Sequence, residues 1–402
     1  MKNISIDSKI IYNIDFISEA VINSHSDKDW LVNGNLGKVL FLMTLAEYKS
    51  DNLYADQGIT LLFEIIKRIN SSKNSINAST SISRGLSGLG LVIYILRDAG
   101  CLEHSKDIDS LEKKIIEVLF NKTLSEIDSG DLDGLHSSIG CIFYFTKIIN
   151  YHSELNNKLR IITERLFLKI EDSKNGSFIK NLRYEKNMIN LGMAHGLCGI
   201  VISLLEIYKS DIESIKISSF LSRSIDFFLS YHNNLSSSNF SNQYAFPRGI
   251  FGDNTPIEYK VNAFSPLGWC YSDIMICLML KKISIVLNDF TLSIKSDEIA
   301  IIDSLRKNFE STQIDSSFFC HGSSGYAWCL KKYYDLSEKK EFFDSHSHWL
   351  NITNDLLTSE SKIKDIKINA FDILNGWNGV GLVMMSSAQK INLKWDSIFL
   401  LS

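Results

Sequence analysis

A short glycine motif recurs along the whole chain of 402 residues. Each copy reads Gly-x-x-Gly, or a version that has lost one glycine, and an apolar run follows it. The copies begin at Gly34, Gly85, Ser137, Gly196, Gly322 and Gly376. Successive copies are 51–59 residues apart, except that 126 residues separate Gly196 from Gly322 and leave room for one more, decayed copy. A repeat of this length is typical of helical repeat proteins, so the sequence predicts seven repeats.

Each repeat contains two predicted helices of different character. The run after the glycines is apolar on nearly all sides, which is typical of a buried helix, and the second run is amphipathic. The predicted inner helices are 35–49, 85–98, 137–151, 196–209, 271–286, 322–335 and 376–388. The predicted outer helices are 7–24, 53–70, 106–121, 155–171, 211–232, 293–311 and 338–359.

The two ends of the chain complement each other. The last repeat lacks an outer helix, and the first outer helix has no inner helix before it. An open array would have to cap its apolar ends, whereas helix 7–24 can supply the missing member and close the structure. The sequence therefore predicts an all-α fold, an α/α toroid of seven inner and seven outer helices, formed by residues 1–402 as one domain. An irregular insertion is predicted at about 234–265.

Charge and composition exclude several classes of protein. The 42 basic and 46 acidic residues give a net charge of −4, which does not suit the clustered basic face of a nucleic-acid-binding protein. No apolar run reaches the ~20 residues of a transmembrane segment, and the N-terminus does not resemble a secretory signal. Seven scattered cysteines, an odd number, fit a reducing, cytoplasmic setting better than a set of disulfides.

Two short segments combine side chains that bind metals. Cys270 lies in 268–271, and Cys320 and His321 lie in 319–322, each directly before a predicted inner helix. In a closed toroid the inner helices all start at one rim, about 8–10 Å from their neighbours, so the two segments can share one ion. Two cysteines and one histidine are ligands typical of zinc. Three protein ligands leave the fourth position open, as in a catalytic site.

Two preceding repeats place further polar residues at the same rim. His195 comes directly before the fourth inner helix, and Asp133 just before the third. Alone, His195 could be a structural histidine and Asp133 a helix cap, and Asp131 and His136 are competing candidates. Because these residues and the metal-binding side chains converge at one rim, a catalytic site is favoured over separate structural roles. The remaining cysteines are interpreted as core residues, and the remaining histidines as solvated ones.

At this point the sequence resembles a known family. Ala194-His195-Gly196, Trp269-Cys270-Tyr271 and Cys320-His321-Gly322, spread over seven helical repeats, resemble the lanthipeptide cyclases of the LanC family over essentially the whole chain. The resemblance implies one Zn²⁺ ion bound by Cys270, Cys320 and His321. It also implies His195 as the catalytic acid/base and Asp133 as the catalytic aspartate.

The chain departs from the family pattern at two places. Ser272-Asp273 follows Tyr271 where the family usually has glycine, and Pro266 stands where an arginine is frequent, four residues before Cys270. Arg248 is a candidate to replace that arginine. All three implied zinc ligands are intact.

The resemblance implies a zinc-dependent enzyme of bacterial lantibiotic biosynthesis. Its reaction would be the addition of peptide cysteine thiols to dehydroalanine or dehydrobutyrine, which forms lanthionine and methyllanthionine thioether rings. The implied substrate is a dehydrated lanthipeptide precursor. A complex with a dehydratase and an ABC exporter would hold this cytoplasmic protein at the inner face of the membrane.

Two other functions remain open on the sequence, and a third is disfavoured. The first is zinc-dependent addition of a thiol such as glutathione to another electrophile. The second is a non-catalytic scaffold that binds peptides. The third is a sugar-cleaving toroid, which would need paired carboxylates at the rim, where this sequence has thiols.

Overall fold

A computed structural model of the chain describes residues 8–70, 76, 78–184, 186–233, 244–252, 255, 267–307, 309–360 and 370–402. Of the predicted irregular insertion at 234–265, only 244–252 and 255 belong to this part. The remainder of that prediction, and Pro266, lie outside the described residues. Within the described ranges, no helix has both the length and the apolar character needed to cross a membrane.

The described residues form seven inner and seven outer helices. The inner helices are Asn35–Lys49, Leu86–Asp98, Ser138–Ile148, Leu197–Lys209, Asp273–Val286, Ser323–Ser337 and Trp377–Ala388. The outer helices are Ser8–Asn23, Asn52–Asn70, Lys106–Ser129, Leu155–Phe167, Ser214–Ser230, Phe290–Ser304 and Lys340–Glu360. Short helical turns also occur at Phe309–Thr312 and Trp395–Phe399.

The inner helices close on themselves. Each contacts the next, and the seventh, Trp377–Ala388, contacts the first, Asn35–Lys49. The outer helix Ser8–Asn23 packs on the seventh inner helix, and Asn13 Nδ2 donates a 2.8 Å hydrogen bond to Asn354 Oδ1 of the last outer helix. The predicted α/α toroid, closed by the first helix of the chain, is confirmed.

Backbone hydrogen bonds join the turns before the seven inner helices into a closed circle. In each case an N–H group of one turn donates to a carbonyl group of the next repeat's turn. The donor–acceptor pairs are Leu31–Ser83, Ser83–Leu135, Gly134–Ala194, Met193–Cys270, Trp269–Cys320, Cys320–Leu374 and Ile373–Val32, at 2.8–3.1 Å. The last pair joins the seventh repeat to the first. We call this circle of turns the rim.

The second glycine of the repeat motif permits a close approach of the chain to itself. A Cβ atom on Gly325 would lie 1.7 Å from the carbonyl oxygen of Phe319, and one on Gly379 would lie 1.9 Å from that of Ile373. Real Cβ atoms do not approach backbone so closely. The turn before each of these helices therefore folds tightly onto the first helical turn, which fixes the positions of the rim residues.

We expect Gly325→Ala to lower the free energy of unfolding by about 1–3 kcal/mol or more, because the clash involves backbone rather than a flexible side chain. Gly252→Ala is the matched control, since its Cβ would meet only the Asn187 carbonyl oxygen, at 3.8 Å. Urea denaturation of both variants measures the difference. Equal stability of Gly325→Ala and wild type would contradict this account of the glycine motif.

Some predicted boundaries are wrong. The outer helix predicted at 155–171 ends at Phe167, and Ile170–Ser173 then pairs antiparallel with Gly176–Ile179. Gly176, at φ 127°, makes the tight turn that this hairpin needs. The outer helix predicted at 106–121 continues to Ser129.

A second two-stranded sheet connects two rim loops. Met188–Asn190 pairs antiparallel with Gly249–Phe251. The first strand leads directly into the turn that holds His195, and the second belongs to the predicted insertion. The described part of the insertion is therefore tied to the rim.

The chain after the last inner helix folds into the toroid. Residues 389–402, which we call the plug, include buried Trp395 and Phe399. The plug contacts the second inner helix and accepts hydrogen bonds from two others, from Lys147 Nζ to the Ser402 carbonyl and from Lys282 Nζ to the Leu401 carbonyl, both 3.0 Å. The repeat motif does not predict this element, because the segment carries no copy of it.

Most of the cysteines without a predicted role lie in the core. Cys141, Cys198, Cys277 and Cys329 are buried as predicted, whereas Cys101 is exposed and its prediction is wrong.

The prediction that all the other histidines are solvated is also wrong for two of them. His152 is buried with its Nε2 2.9 Å from Glu112, and His346 is buried with its Nδ1 2.8 Å from the Ala327 carbonyl oxygen. Their partners come from other helices, so local sequence did not reveal the burial.

Candidate active site

Cys270, Cys320 and His321 lie together on the rim. One ligand atom from each lies within 4.8 Å of the other two, and the two cysteine Sγ atoms are 2.8 Å apart. Both cysteines are buried, whereas His321 is exposed. Two sulfur donors and one imidazole are a donor set suited to Zn²⁺, and the exposed side leaves room for a further ligand.

The repeat itself explains why residues fifty positions apart meet. Cys270 and Cys320 each lie three residues before the first residue of their inner helix, at Asp273 and Ser323. Trp269 N–H donates a 3.0 Å hydrogen bond to the Cys320 carbonyl oxygen, which sets the two turns side by side. A Cβ atom on Gly268 would lie 2.5 Å from that oxygen, so glycine is needed for this approach.

The two thiols differ in acidity. Hydrogen bonding to Cys270 lowers the pKa of the Cys320 thiol to about 6, with a further contribution from the neighbouring His321. Burial raises the pKa of Cys270 well above its usual value. The hydrogen bond with Cys320 raises the pKa of His321. The thiolate form of Cys320 and the charged form of His321 therefore favour each other, and a divalent cation at this place would take over the role of the protons.

Asp133 and His195 form a second pair on the rim. Asp133 Oδ2 lies 2.7 Å from His195 Nδ1, and Asp133 Oδ1 accepts backbone hydrogen bonds from Leu135 and His136 at 2.9 and 2.7 Å. Burial raises the pKa of Asp133, but the hydrogen bond and charge of His195 outweigh burial and leave the pKa below its usual value. The carboxylate is therefore ionised and oriented, with His195 Nδ1 as its partner.

A row of rings connects the two groups. His136, His195, Tyr271 and His321 each lie two residues before the first residue of an inner helix, in four successive repeats. Ring centroids are 5.7 Å apart for His136 and His195, 6.2 Å for His195 and Tyr271, and 6.3 Å for Tyr271 and His321. The pair Asp133–His195 and the candidate metal ligands therefore border one surface.

The competing candidates have other partners. Asp131 lies 2.6 Å from Arg183 and is partly exposed, so it does not join the site pair. His136 Nδ1 is 2.8 Å from Ser83 Oγ, and its ring packs against that of His195. The structure thus brings together the predicted residues Asp133 and His195.

Tyr184 was not identified from the sequence. Its ring lies edge-on against His195 with centroids 5.3 Å apart, and it is half-exposed. It follows the hairpin at 170–179, which the repeat motif does not predict, so no sequence signal placed it at the rim.

The departures from the family pattern have structural partners. The buried Asp273 carboxylate accepts hydrogen bonds from Ala245 N–H at 2.6 Å, Phe246 N–H at 2.9 Å and Arg306 Nη2 at 2.7 Å. Asp273 therefore fastens the described part of the insertion to the fifth inner helix. Two residues further along, the Arg248 guanidinium carbon lies 5.6 Å from the Tyr271 ring centroid. Arg248 thus lies beside Tyr271, and its replacement of the family's arginine stays a prediction.

Comparisons with known proteins identify a structure with a similar fold. No curated protein matches the sequence. The structure of nisin cyclase superposes with a TM-score of 0.73 at 19% sequence identity, covering 98% of this chain and 96% of that one, which shows a shared fold. An inactive variant of the α-1,6-mannanase GH76A of Salegentibacter sp. HEL1_6, in complex with α-1,6-mannotriose, matches with a TM-score of 0.42 at 9% identity, covering 94% of this chain and 98% of that one.

A sequence profile gives the decisive comparison. The family described as "Lanthionine synthetase C-like protein" matches residues 25–400. The match includes all seven inner helices, the rim and nearly the whole plug. The chain therefore belongs to the lanthionine synthetase C-like family.

Proposed function

We propose that this protein is a zinc-dependent lanthipeptide cyclase, which adds peptide cysteine thiols to dehydroalanine or dehydrobutyrine and forms thioether rings. The observation that supports the proposal most strongly is the arrangement of two groups on one rim of a member of this family. A thiol–imidazole donor set borders the same surface as an ionised Asp133 paired with His195.

One Zn²⁺ ion would be held by Cys270, Cys320 and His321. The fit is supported by three donor atoms within 4.8 Å of one another, in a site that is buried at both sulfurs and open at the imidazole. When bound, the ion would supply a substrate thiolate at neutral pH from a thiol whose ordinary pKa is about 8.5.

His195 and Asp133 act on the electrophile, which is the dehydrated residue of the peptide. Attack by sulfur on the β-carbon forms a C–S bond, and the electrons of the C=C bond move toward the carbonyl oxygen as an enolate. His195 in its charged form stabilises this oxygen and then gives a proton to the α-carbon. The proton that the α-carbon gains matches the one that the thiol loses. Asp133 holds the imidazole in place and stabilises its positive charge through the 2.7 Å contact at Nδ1.

We further propose a setting for the enzyme. The substrate is a dehydrated lanthipeptide precursor in the bacterial cytoplasm, within lantibiotic biosynthesis. A dehydratase supplies the dehydrated residues, and an ABC exporter removes the product. The likeness to nisin cyclase supports the choice of a peptide substrate.

Cyclisation of a synthetic peptide tests the function directly. The peptide carries one dehydroalanine and one cysteine a few residues further on, and the zinc-loaded protein is added at slightly acidic pH, where the uncatalysed addition is slow. We expect ring formation to be at least about 100-fold faster than with zinc alone, which is a small acceleration for an enzyme. Mass spectrometry after thiol alkylation measures it, because a cyclised peptide takes up no alkyl group.

A second peptide, without cysteine and mixed with glutathione, separates the alternatives. Acceleration of ring formation alone supports a cyclase. Acceleration with glutathione alone would replace the proposed reaction by intermolecular thiol addition. Zinc binding without acceleration of either reaction would leave a peptide-binding scaffold and overturn the proposal.

A further inference from the structure

The residues that precede the two rim cysteines share a structural neighbour. Trp269 directly precedes Cys270, and Phe319 directly precedes Cys320. Both aromatic side chains are fully buried, and both pack on Phe399 of the plug.

The contacts to Phe399 are close and specific. The Phe319 and Phe399 rings are stacked with centroids 4.3 Å apart and planes 21° apart. The Trp269 and Phe399 centroids are 4.7 Å apart, and Trp269 Nε1 donates a 2.9 Å hydrogen bond to the Phe399 carbonyl oxygen. An indole N–H that is buried needs such a partner, so this bond fixes the orientation of Trp269 as well as its depth.

Phe399 is itself held in place. Trp395 packs against Phe399 with centroids 6.3 Å apart, and its Nε1 donates a 2.8 Å hydrogen bond to Ser386 Oγ. Beyond Phe399, the carbonyl of Leu401 accepts a hydrogen bond from Lys282 Nζ, and the carbonyl of Ser402 accepts one from Lys147 Nζ. The plug is thus anchored to the third, fifth and seventh inner helices, through Lys147, Lys282 and Ser386.

We propose that Phe399 is a positioning residue for the metal centre, which fastens the two cysteine-bearing turns at the separation that lets Cys270 and Cys320 share one ion. The inference rests on the proposed zinc site. Successive Cα atoms are 3.8 Å apart, so holding Trp269 and Phe319 holds the cysteines that follow them. On the rim side the two turns are joined by the backbone bond from Trp269 to Cys320, and Phe399 joins them from inside the toroid.

A metal site gains affinity when its ligands are held near their final positions before the ion arrives. Ligand distances must be met to within about 0.2 Å, and loss of a supporting group typically costs 10–100-fold in metal affinity. A residue that serves only the core would lower stability when it is replaced, without this change in affinity.

The test measures zinc affinity of full-length Phe399→Leu by competition with a chromophoric chelator, after circular dichroism has shown that the variant is folded. The matched control is Phe342→Leu. Phe342 is equally buried and packs on Tyr333 at 4.5 Å, in the wall of the toroid away from the ligands. We expect Phe399→Leu to bind zinc about 10–100-fold more weakly and Phe342→Leu to bind it as wild type does, with comparable losses of thermal stability.

Phe399→Met, whose flexible side chain adapts to an irregular gap, takes the place of the leucine variant should that one fail to fold. A folded Phe399 variant with wild-type zinc affinity overturns the inference, and so does a wild type that binds no zinc. The readout does not depend on turnover. A protein that shows the affinity difference but cyclises no peptide therefore supports this inference while the proposed reaction fails.

Discussion

Cys320→Ala is expected to lose its zinc and, with it, all measurable cyclisation. The substitution removes the thiol with the lowered pKa of about 6, which is the sulfur best prepared to carry negative charge. Only two of the three candidate ligands remain, the buried thiol of Cys270 and the exposed imidazole of His321. One thiol and one imidazole would hold Zn²⁺ weakly, since even a catalytic zinc site keeps three protein ligands. We expect zinc affinity to fall by more than about 100-fold, beyond the loss typical of a supporting residue.

Elemental analysis of the purified protein gives the metal content, and the alkylation assay gives the rate. Wild type should contain one equivalent of zinc and the variant none. The control is Cys329→Ala, which removes another buried thiol, from the helix Ser323–Ser337 that follows Cys320. That thiol points into the core, and burial raises its pKa.

Cys329→Ala is therefore expected to keep zinc and activity, at a cost of about 1 kcal/mol in stability for the small cavity. This contrast separates a role in the metal centre from the general sensitivity of a packed toroid. A Cys320→Ala protein that retains one zinc and full cyclisation is incompatible with the proposed centre.

The toroid was largely predictable because its signal is repeated. Six copies of one motif and a gap with room for a seventh predict seven inner helices, and the absence of an outer partner for Trp377–Ala388 indicates that Ser8–Asn23 closes the structure. The same periodicity placed the candidate site. Equivalent positions of successive repeats must meet at one end, so Cys270, Cys320 and His195 could be grouped before their distances were known.

Elements that lie outside the repeat motif were not predicted. The plug carries no motif, and its burial depends on partners such as Trp269 and Lys282, which are far away in the sequence. The hairpin that brings Tyr184 to His195 interrupts a repeat. Asp273 was noted only as a departure from a pattern. Its function as an anchor for Ala245 became visible once the fold placed both residues together.

Asp133→Asn is expected to slow cyclisation by about 10²–10⁴-fold while the zinc content stays at one equivalent. This range is the typical contribution of a positioned general acid or base. The asparagine oxygen can still accept the backbone hydrogen bonds of Leu135 and His136, so the turn keeps its shape. The amide group, however, presents a donor to His195 Nδ1 where the carboxylate presented a charged acceptor.

The charged form of His195 then has no partner at Nδ1, and an amide N–H would face an imidazole N–H. Only the neutral imidazole with a bare Nδ1 accepts the new donor. That form is a much weaker acid, so it stabilises the enolate less and protonates the α-carbon slowly. The loss should appear in the rate of ring formation rather than in metal binding, since the metal ligands lie on other turns.

Asp131→Asn provides the comparison for this second variant. Asp131 is two residues away in the same turn, but it pairs with Arg183 at the surface, an interaction typically worth about 0–1 kcal/mol. We expect its cyclisation rate to remain within about threefold of wild type, because loss of this pair leaves His195 and Asp133 in contact. Equal slowing in both variants would point to a general disturbance of the turn, and an undiminished rate in Asp133→Asn would remove His195 from the role of acid. The two carboxylates differ in what they touch rather than in sequence context, so this comparison tests the contact itself.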